Sequence, residues 1–344
     1  MSIRGKATSL DIAYQAGVSQ ATVSRALRGS PLVNEKTRRR IEAIALELNY
    51  KVDKNASGLR TQQSGTLALL LFEDPTSDDS LINPFFLSML GSIARSCAAE
   101  DYDLLVSFQQ LSVDWQADYE DSHKADGIIL LGYGDYLEYR SKLERLVAQG
   151  THFVRWGAVL PGQPGISIGC DNIQGGRDIT EHLIGLGRKR IAFIGHASDH
   201  YPEFYARYLG YDDALRSAGL DRDPALQVDA ITTEQAGYQA TRELLDRKVP
   251  FDALFAASDL IAIGAMQALY DTGIAVPDQV ALVGFDDIPM AAFTQPALTT
   301  VQQDTKLAGA ILVDTLIKLV QGTPVESRTI AAKPIIRRSC GAGG

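Results

Sequence analysis

Apolar positions in the first 50 residues recur three and four apart in three short bursts. Ile12, Ala13 and Ala16 make one stripe, Val23, Ala26 and Leu27 a second, and Ile41, Ile44, Ala45 and Leu48 a third. That spacing lines each set along one helix face. The boundaries carry matching chemistry. Thr8-Ser9-Leu10-Asp11 offers a hydroxyl cap with an acid three positions on, and Gly17 suits the positive φ of a tight turn. Ser19 caps the second helix, Gly29-Ser30-Pro31 ends it, and Asn34 caps the third. Residues 51–64 are polar, without a core-forming pattern, and read as a linker. From 66 onward short apolar runs at 66–72, 103–108, 127–132, 152–157, 165–169, 190–195, 253–257, 280–285 and 299–303 read as strands. Amphipathic stretches at 85–99, 137–149, 175–186, 205–218, 234–246 and 259–272 alternate with them as helices. Such alternation implies parallel sheets covered on both faces. About nine strands exceed what one sheet readily holds, so two doubly wound subdomains facing a cleft are expected.

Composition adds a charge asymmetry. The chain of 344 residues carries a net −9, yet residues 1–60 hold eleven Lys and Arg against five acids, a net +6. The rest has 22 bases against 37 acids, a net −15. A basic segment on an acidic body fits a nucleic-acid-reading arm on a soluble sensor. The run Arg38-Arg39-Arg40 by itself reads as a solvated helix face. No apolar run approaches the roughly 18 residues of a membrane helix, and the N-terminus lacks a secretory pattern. A cytoplasmic location without membrane contact is expected. Cys97, Cys170 and Cys340 are scattered, without a C-x-x-C pair, and are read as free thiols, the first two buried.

Residues 13–25 follow helix-turn-helix grammar. Ala13 permits close packing, Gly17 makes the turn, Val18 and Val23 fill the crossing, and Gln20, Ala21, Ser24 and Arg25 face outward on the second helix. In a major groove Gln pairs with adenine and Arg with guanine.

The opening T-S-L-D-I-A-x-x-A-G-V-S-x-A-T-V-S-R-A-L, followed by Val33-Asn34-Glu35-Lys36-Thr37-Arg38, resembles the headpiece of the LacI/GalR family of bacterial repressors. The resemblance implies base reading by Gln20, Ala21 and Arg25. It gives Thr8, Ser19, Thr22, Ser24 and Asn34 backbone-positioning or capping roles. Ala21 has no hydrogen-bonding group; it can touch only a thymine methyl. The segment Asn55-Ala56-Ser57-Gly58-Leu59-Arg60 is similar to the family's hinge. There a short helix forms on operator DNA, with Leu59 at the position that wedges the central base step and Ala56 at the dimer-packing one. Read without the family, the same segment is a plain flexible linker.

The remainder resembles the family's periplasmic-binding-protein-like core, through Asp171-Asn172 with Gly175-Gly176, Arg207 with Gly210-Tyr211, Ser258-Asp259, Val283-Gly284-Phe285-Asp286-Asp287 and Leu298 to Gln303. The resemblance places an effector in the inter-subdomain cleft, with Arg207 and Asp286 as its main polar contacts. Ser258 and Asp259, Phe85 or Phe86, and Arg155-Trp156 would also line it. For Trp156 core packing is an equal reading, and for Asp287 a capping role. Charged planar groups and aromatic rings suit a sugar. Arg155 stands where many relatives have an acid, so it either favours an acidic or oxidised sugar or pairs with a neighbouring carboxylate.

The expected organisation is a headpiece at 1–50, a hinge at 51–64 and a core at 65–344. Within the core, the N-subdomain takes about 65–160 plus 290–320, and the C-subdomain about 161–289 plus 321–340. The expected function is a sequence-specific repressor of carbohydrate-utilisation genes. It would bind operator DNA as a homodimer, with pairing into a tetramer left open, and be released by a sugar. Co-repressor dependence and a stand-alone solute-binding protein are the alternatives. No phosphate-binding loop or nucleophile motif is present, so an enzyme is not expected, nor a cofactor. His196 and His200, four apart, sit in a loop-like context without a partner Glu motif and are not read as a metal site.

Overall fold

Three helices build the N-terminal unit: α1 (Ser9–Ala16), α2 (Gln20–Leu27) and α3 (Glu35–Glu47). At the start of α1 the Thr8 hydroxyl accepts from the Asp11 amide while the Asp11 carboxylate accepts from the Thr8 amide at 2.8 Å, a reciprocal cap that satisfies two otherwise orphaned donors. Gly17 closes the helix in the left-handed region at φ 61°. The Asn34 side chain accepts from the Thr37 amide at 2.8 Å and starts α3. Ile12, Ala16, Val23, Ala26, Ile41 and Ala45 form the shared core, so all three predicted stripes face inward. The structure, a computed structural model, describes residues 7–27, 29–50, 63–73, 82–132 and 134–342. It separates a unit at 1–65 from one at 66–344.

The second unit contains two parallel sheets. The first joins β1 (Thr66–Leu71), β2 (Asp103–Phe108), β3 (Gly127–Leu131), β4 (Phe153–Trp156), β5 (Ile166–Cys170) and β11 (Arg328–Ile330), in the order β11-β5-β4-β3-β1-β2. The second joins β6 (Ile191–Ile194), β7 (Gln227–Val228), β8 (Ala253–Ala256) and β9 (Ala281–Val283), in the order β7-β6-β8-β9. Between the lobes, β10 (Thr300–Gln303) pairs antiparallel with β12 (Ala332–Ile335). Helices α4 (Pro84–Ala99), α5 (Tyr136–Gln149), α6 (Asn172–Gly185), α7 (Pro202–Ser217), α8 (Glu234–Asp246), α9 (Asp259–Asp271) and α10 (Thr305–Val320) cover the sheets. The central strands are apolar and buried throughout, as parallel strands covered on both faces must be.

Two expectations need correction. The subdomain boundary does not fall near 161, because β5 pairs with β4 in the first sheet and the chain crosses to the second lobe only after Cys170. Likewise β11 returns to the first sheet beside β5 instead of joining the C-terminal lobe. The stretch 157–165 resembles an interdomain linker in composition, but it is only the loop between two neighbouring strands. Helix α10 was not anticipated either. Ala308, Leu312, Val313, Leu316 and Ile317 are all buried, so little polar face remains to produce a periodic signal.

One helix contact sets the position of the site. Helices α6 and α7 meet backbone to backbone at Gly176 and Gly210. A Cβ at Gly210 would stand 2.1 Å from the Ile173 carbonyl, and one at Gly176 would stand 2.4 Å from the Arg207 carbonyl. Only glycine allows this approach, and it seats the helix that carries Arg207. Among the described residues no helix is long and apolar enough to cross a membrane.

Candidate effector cleft and DNA-reading helix

The carboxyl ends of the parallel strands from both lobes open onto one cavity of about 1040 Å³, its open mouth included. Brought together here are Phe72 after β1, Phe85 and Phe86 in the first turn of α4, Trp156 at the end of β4, Tyr201, Glu203, Phe204 and Arg207 before and along α7, Thr232 and Thr233 after β7, Asp286 after β9, and Gln303 at the end of β10. A crevice at strand C-termini is where doubly wound sheets place ligands. Two buried amides hold the rim. Asn83 caps α4 by accepting from the Phe85 amide at 2.9 Å, and Gln109 donates to the carbonyls of Leu70, Leu131 and Gly132, tying the ends of β1 and β3 together.

Arg207 and Asp286 form the polar floor. The Arg207 Nε donates to Asn172 Oδ1 at 2.9 Å, and its Nη1 donates to the Ala257 carbonyl at 2.5 Å and lies 3.4 Å from the Asp286 carboxylate. The guanidinium rests on the Phe285 ring, 3.9 Å from its centroid, a stacked cation in a dry setting. Asp286 also accepts from Gln303 Nε2 at 2.6 Å. Burial pushes its carboxyl up to about 6, against the opposing pull of Arg207 and the Gln303 hydrogen bond. Its backbone stands at φ 118°, a strained conformation for a non-glycine residue and one that concentrates at functional sites. It is held there by its amide, which donates to the Val301 carbonyl at 2.8 Å.

Of the residues anticipated from sequence, Phe85, Phe86, Trp156, Arg207 and Asp286 meet in this cavity, and three others do not. Arg155 points to the opposite face of β4, where its guanidinium lies 5.4 Å from the Tyr136 ring centroid and donates to Gln163 at 2.6 Å. Alternation along a strand makes this unavoidable once Trp156 faces the cleft. Ser258 is buried and caps α9, accepting from the Ile261 amide. Asp259 lies behind the floor, accepting from the Thr300 hydroxyl at 2.5 Å and the Ile288 amide at 2.9 Å. Burial, followed by the neighbouring Asp286, pushes its carboxyl well above the usual range. Asp287 turns away to Arg337 at 2.7 Å. Sequence reasoning missed Phe72, Tyr201, Glu203, Phe204 and Gln303. For Phe72 and Gln303 the available signal was position at or just after a strand end; Tyr201, Glu203 and Phe204 lie well past the end of β6, before or within α7, and carried none. The two histidines diverge. His196 stacks on Tyr201 at 4.0 Å, whereas His200 turns to Asp135. Among the described residues no set of three potential metal ligands comes together.

In the N-terminal unit α2 buries Val23 and Ala26 and leaves Gln20, Ala21 and Arg25 exposed, with Ser24 half-buried. Ser19 starts the helix, its hydroxyl accepting from the Thr22 amide at 3.2 Å and lying 2.9 Å from the Thr22 hydroxyl. Gln20 is tethered, since its Nε2 donates to the Ser9 hydroxyl at 2.8 Å. Arg38 is committed to the turn before α3, bonding the Ser30 carbonyl at 2.9 Å. Asn55, Ala56 and Leu59 lie outside the described residues.

Residues 8–53 match the family described as bacterial regulatory proteins, lacI family, and residues 180–340 match the periplasmic binding protein-like domain. The HTH-type transcriptional regulator RegA of Clostridium saccharobutylicum is 34% identical over 91% of this chain and 93% of its own length. The HTH-type transcriptional regulator CelR of Thermobifida fusca is 31% identical over 95% of each chain. A solved complex of transcriptional regulator CelR with cellobiose superposes with a TM-score of 0.72 at 29% identity, covering 97% of this chain and 99% of that one.

Proposed function

The chain belongs to the lacI family of bacterial regulatory proteins, and from that premise we propose that it is a DNA-binding repressor of carbohydrate-utilisation genes. It acts as a homodimer, one headpiece per operator half-site, with α2 in the major groove. Gln20 and Arg25 read base edges, Ala21 contributes apolar contact, and Ser19, Thr22 and Ser24 position the helix. Thr8 and Asn34 hold the helices that frame it. The 51–64 hinge, with Asn55, Ala56 and Leu59, transmits the state of the core. No catalytic role is assigned; the relatives above are regulators.

The observation that carries this reading is the cleft in which aromatic rings surround the Arg207–Asp286 pair at the strand ends. Aromatic faces take the apolar side of a sugar ring, while paired charged groups take its hydroxyls. A ligand gripped by both lobes favours one lobe arrangement, and only that difference in affinity can move the DNA equilibrium. The test couples two measurements. Operator sequences selected from random duplexes should bind in a manner that depends on Arg25. Sugars that raise the melting temperature by mass action should then shift that binding. A protein without preference among duplexes, or one that no carbohydrate stabilises, would defeat the proposal.

A further inference from the structure

Three charged side chains line the cleft among the described residues: Arg207, Asp286 and Glu203. The one cation is already engaged, with Asn172, the Ala257 carbonyl and Asp286 around it. The chain between Phe72 and Asn83, which includes undescribed residues 74–81, contains no Lys or Arg that could add another. Glu203 is fixed in place, its Oε1 accepting from the Ala158 amide of the other lobe at 2.6 Å. It stands in the first turn of α7, just after Pro202. A helix start ordinarily attracts anions, but here the protein's own carboxylate occupies that end.

We infer that Glu203 sets the charge class of the ligand: the cleft admits neutral or amine-bearing carbohydrates and rejects carboxylated and phosphorylated ones. This rests on the carbohydrate reading above and narrows it. A hydroxyl donates readily to a carboxylate, and an ammonium does so with added attraction. A carboxylate or phosphate brought within a few ångströms of Glu203, between aromatic walls, meets like-charge repulsion worth about tenfold or more in affinity. Arg155, the residue that would have favoured an acidic sugar, faces the other side of β4 and cannot offset this.

The chain's two tryptophans allow a direct test. Trp115 lies under Tyr139 in a separate core cluster, whereas Trp156 borders the cleft. In the full-length Trp115→Phe protein, with each ion normalised to its quenching of free N-acetyltryptophanamide, cesium should quench Trp156 fluorescence at least about twice as strongly as iodide, because a negative wall concentrates cations. Glu203→Gln should halve that ratio or more. Wild-type protein corrected by a Trp156→Phe control gives the same comparison if Trp115→Phe folds poorly. Equal quenching by both ions, or a ratio that Glu203→Gln leaves unmoved, overturns the inference. A second arm compares thermal stabilisation by glucose, glucosamine, glucuronate and glucose 6-phosphate, and by cellobiose and cellobionate. Neutral and amino members should bind at least about tenfold more tightly than acidic ones, a gap that Glu203→Gln narrows. Tighter binding of an acidic member also overturns the inference. A cesium preference with no response to any sugar would overturn the carbohydrate reading while upholding the charge assignment.

Discussion

His200 and Asp135 clasp one another across the mouth of the cleft. The imidazole Nδ1 lies 2.5 Å from the Asp135 Oδ2, and the His200 carbonyl accepts from the Tyr136 amide at 2.8 Å. One partner belongs to the loop before α7 in the C-terminal lobe, the other caps α5 in the N-terminal lobe. Together with the Glu203–Ala158 hydrogen bond, this links the two lobes.

The clasp should make stability dependent on pH. The hydrogen bond to Asp135 raises the His200 pKa above its ordinary 6.5, with Asp199 and Glu138 adding to it, and the same bond lowers that of Asp135. A raised histidine pKa means that stabilisation is complete below the ordinary value and is lost as pH rises through the shifted one. The melting temperature of the wild type should therefore fall more between pH 6.5 and about 8 than that of Asp135→Asn, which keeps the α5 cap but loses the charge. His200 is exposed and Asp135 only half-buried, so the effect is small and screened by salt. Identical pH profiles for the two proteins would remove the clasp from the account.

Arg207→Gln should abolish the response to effector while leaving operator binding intact. It should also destabilise the core by roughly 3 kcal/mol at pH 8, since removal of one member leaves a buried carboxylate without its counter-charge. At pH 5, below the value of about 6 to which burial raises Asp286, the carboxyl is neutral and the loss should shrink. Urea unfolding at the two pH values checks this, and an equal loss at both would mean that Asp286 does not feel Arg207.

On the headpiece, Arg25→Ala should cost about 1–3 kcal/mol at one operator position and relax the preference there, as read by binding to single-base operator variants. Ser9→Ala acts indirectly: it releases Gln20 from its 2.8 Å tether and should broaden the preference at the base pair that Gln20 reads, leaving the position read by Arg25 unchanged. Uniform weakening across all variants would argue that these residues contact only the backbone.

The glycine contact offers a packing test. Gly210→Ala forces a Cβ to within 2.1 Å of the Ile173 carbonyl and should destabilise by about 1–3 kcal/mol, with loss of effector response because α7 carries Arg207. Gly91→Ala, within α4 and with open space around its Cβ, should instead gain up to about 1 kcal/mol. Thermal melts of both variants distinguish close packing from a general intolerance of substitution.

Much of the site was legible in the sequence for identifiable reasons. Thr8, Gly17 and Asn34 act locally, through hydrogen bonds and backbone angles settled within three or four residues, and each was placed correctly. Phe85, Trp156, Arg207 and Asp286 followed from family resemblance. Arg155 failed because adjacent residues on a strand face opposite ways, and nothing in the sequence told which of Arg155 and Trp156 faced inward. Ser258 and Asp259 failed for a related reason: the end of a strand near a cleft can serve either the ligand or the helix that follows it.

Local pattern, then, settled most of the elements, the basic headpiece and the alternation that yields parallel sheets, because spacing and capping act over a few residues. Which sheet β5 and β11 join, which lobe surface Glu203 and His200 meet, and how one arginine comes to lie among Asn172, Ala257 and Asp286 were decided only by the folded chain. Those contacts join residues up to about 160 positions apart, and their energies depend on burial and on partners that come together only after the chain has crossed between the lobes.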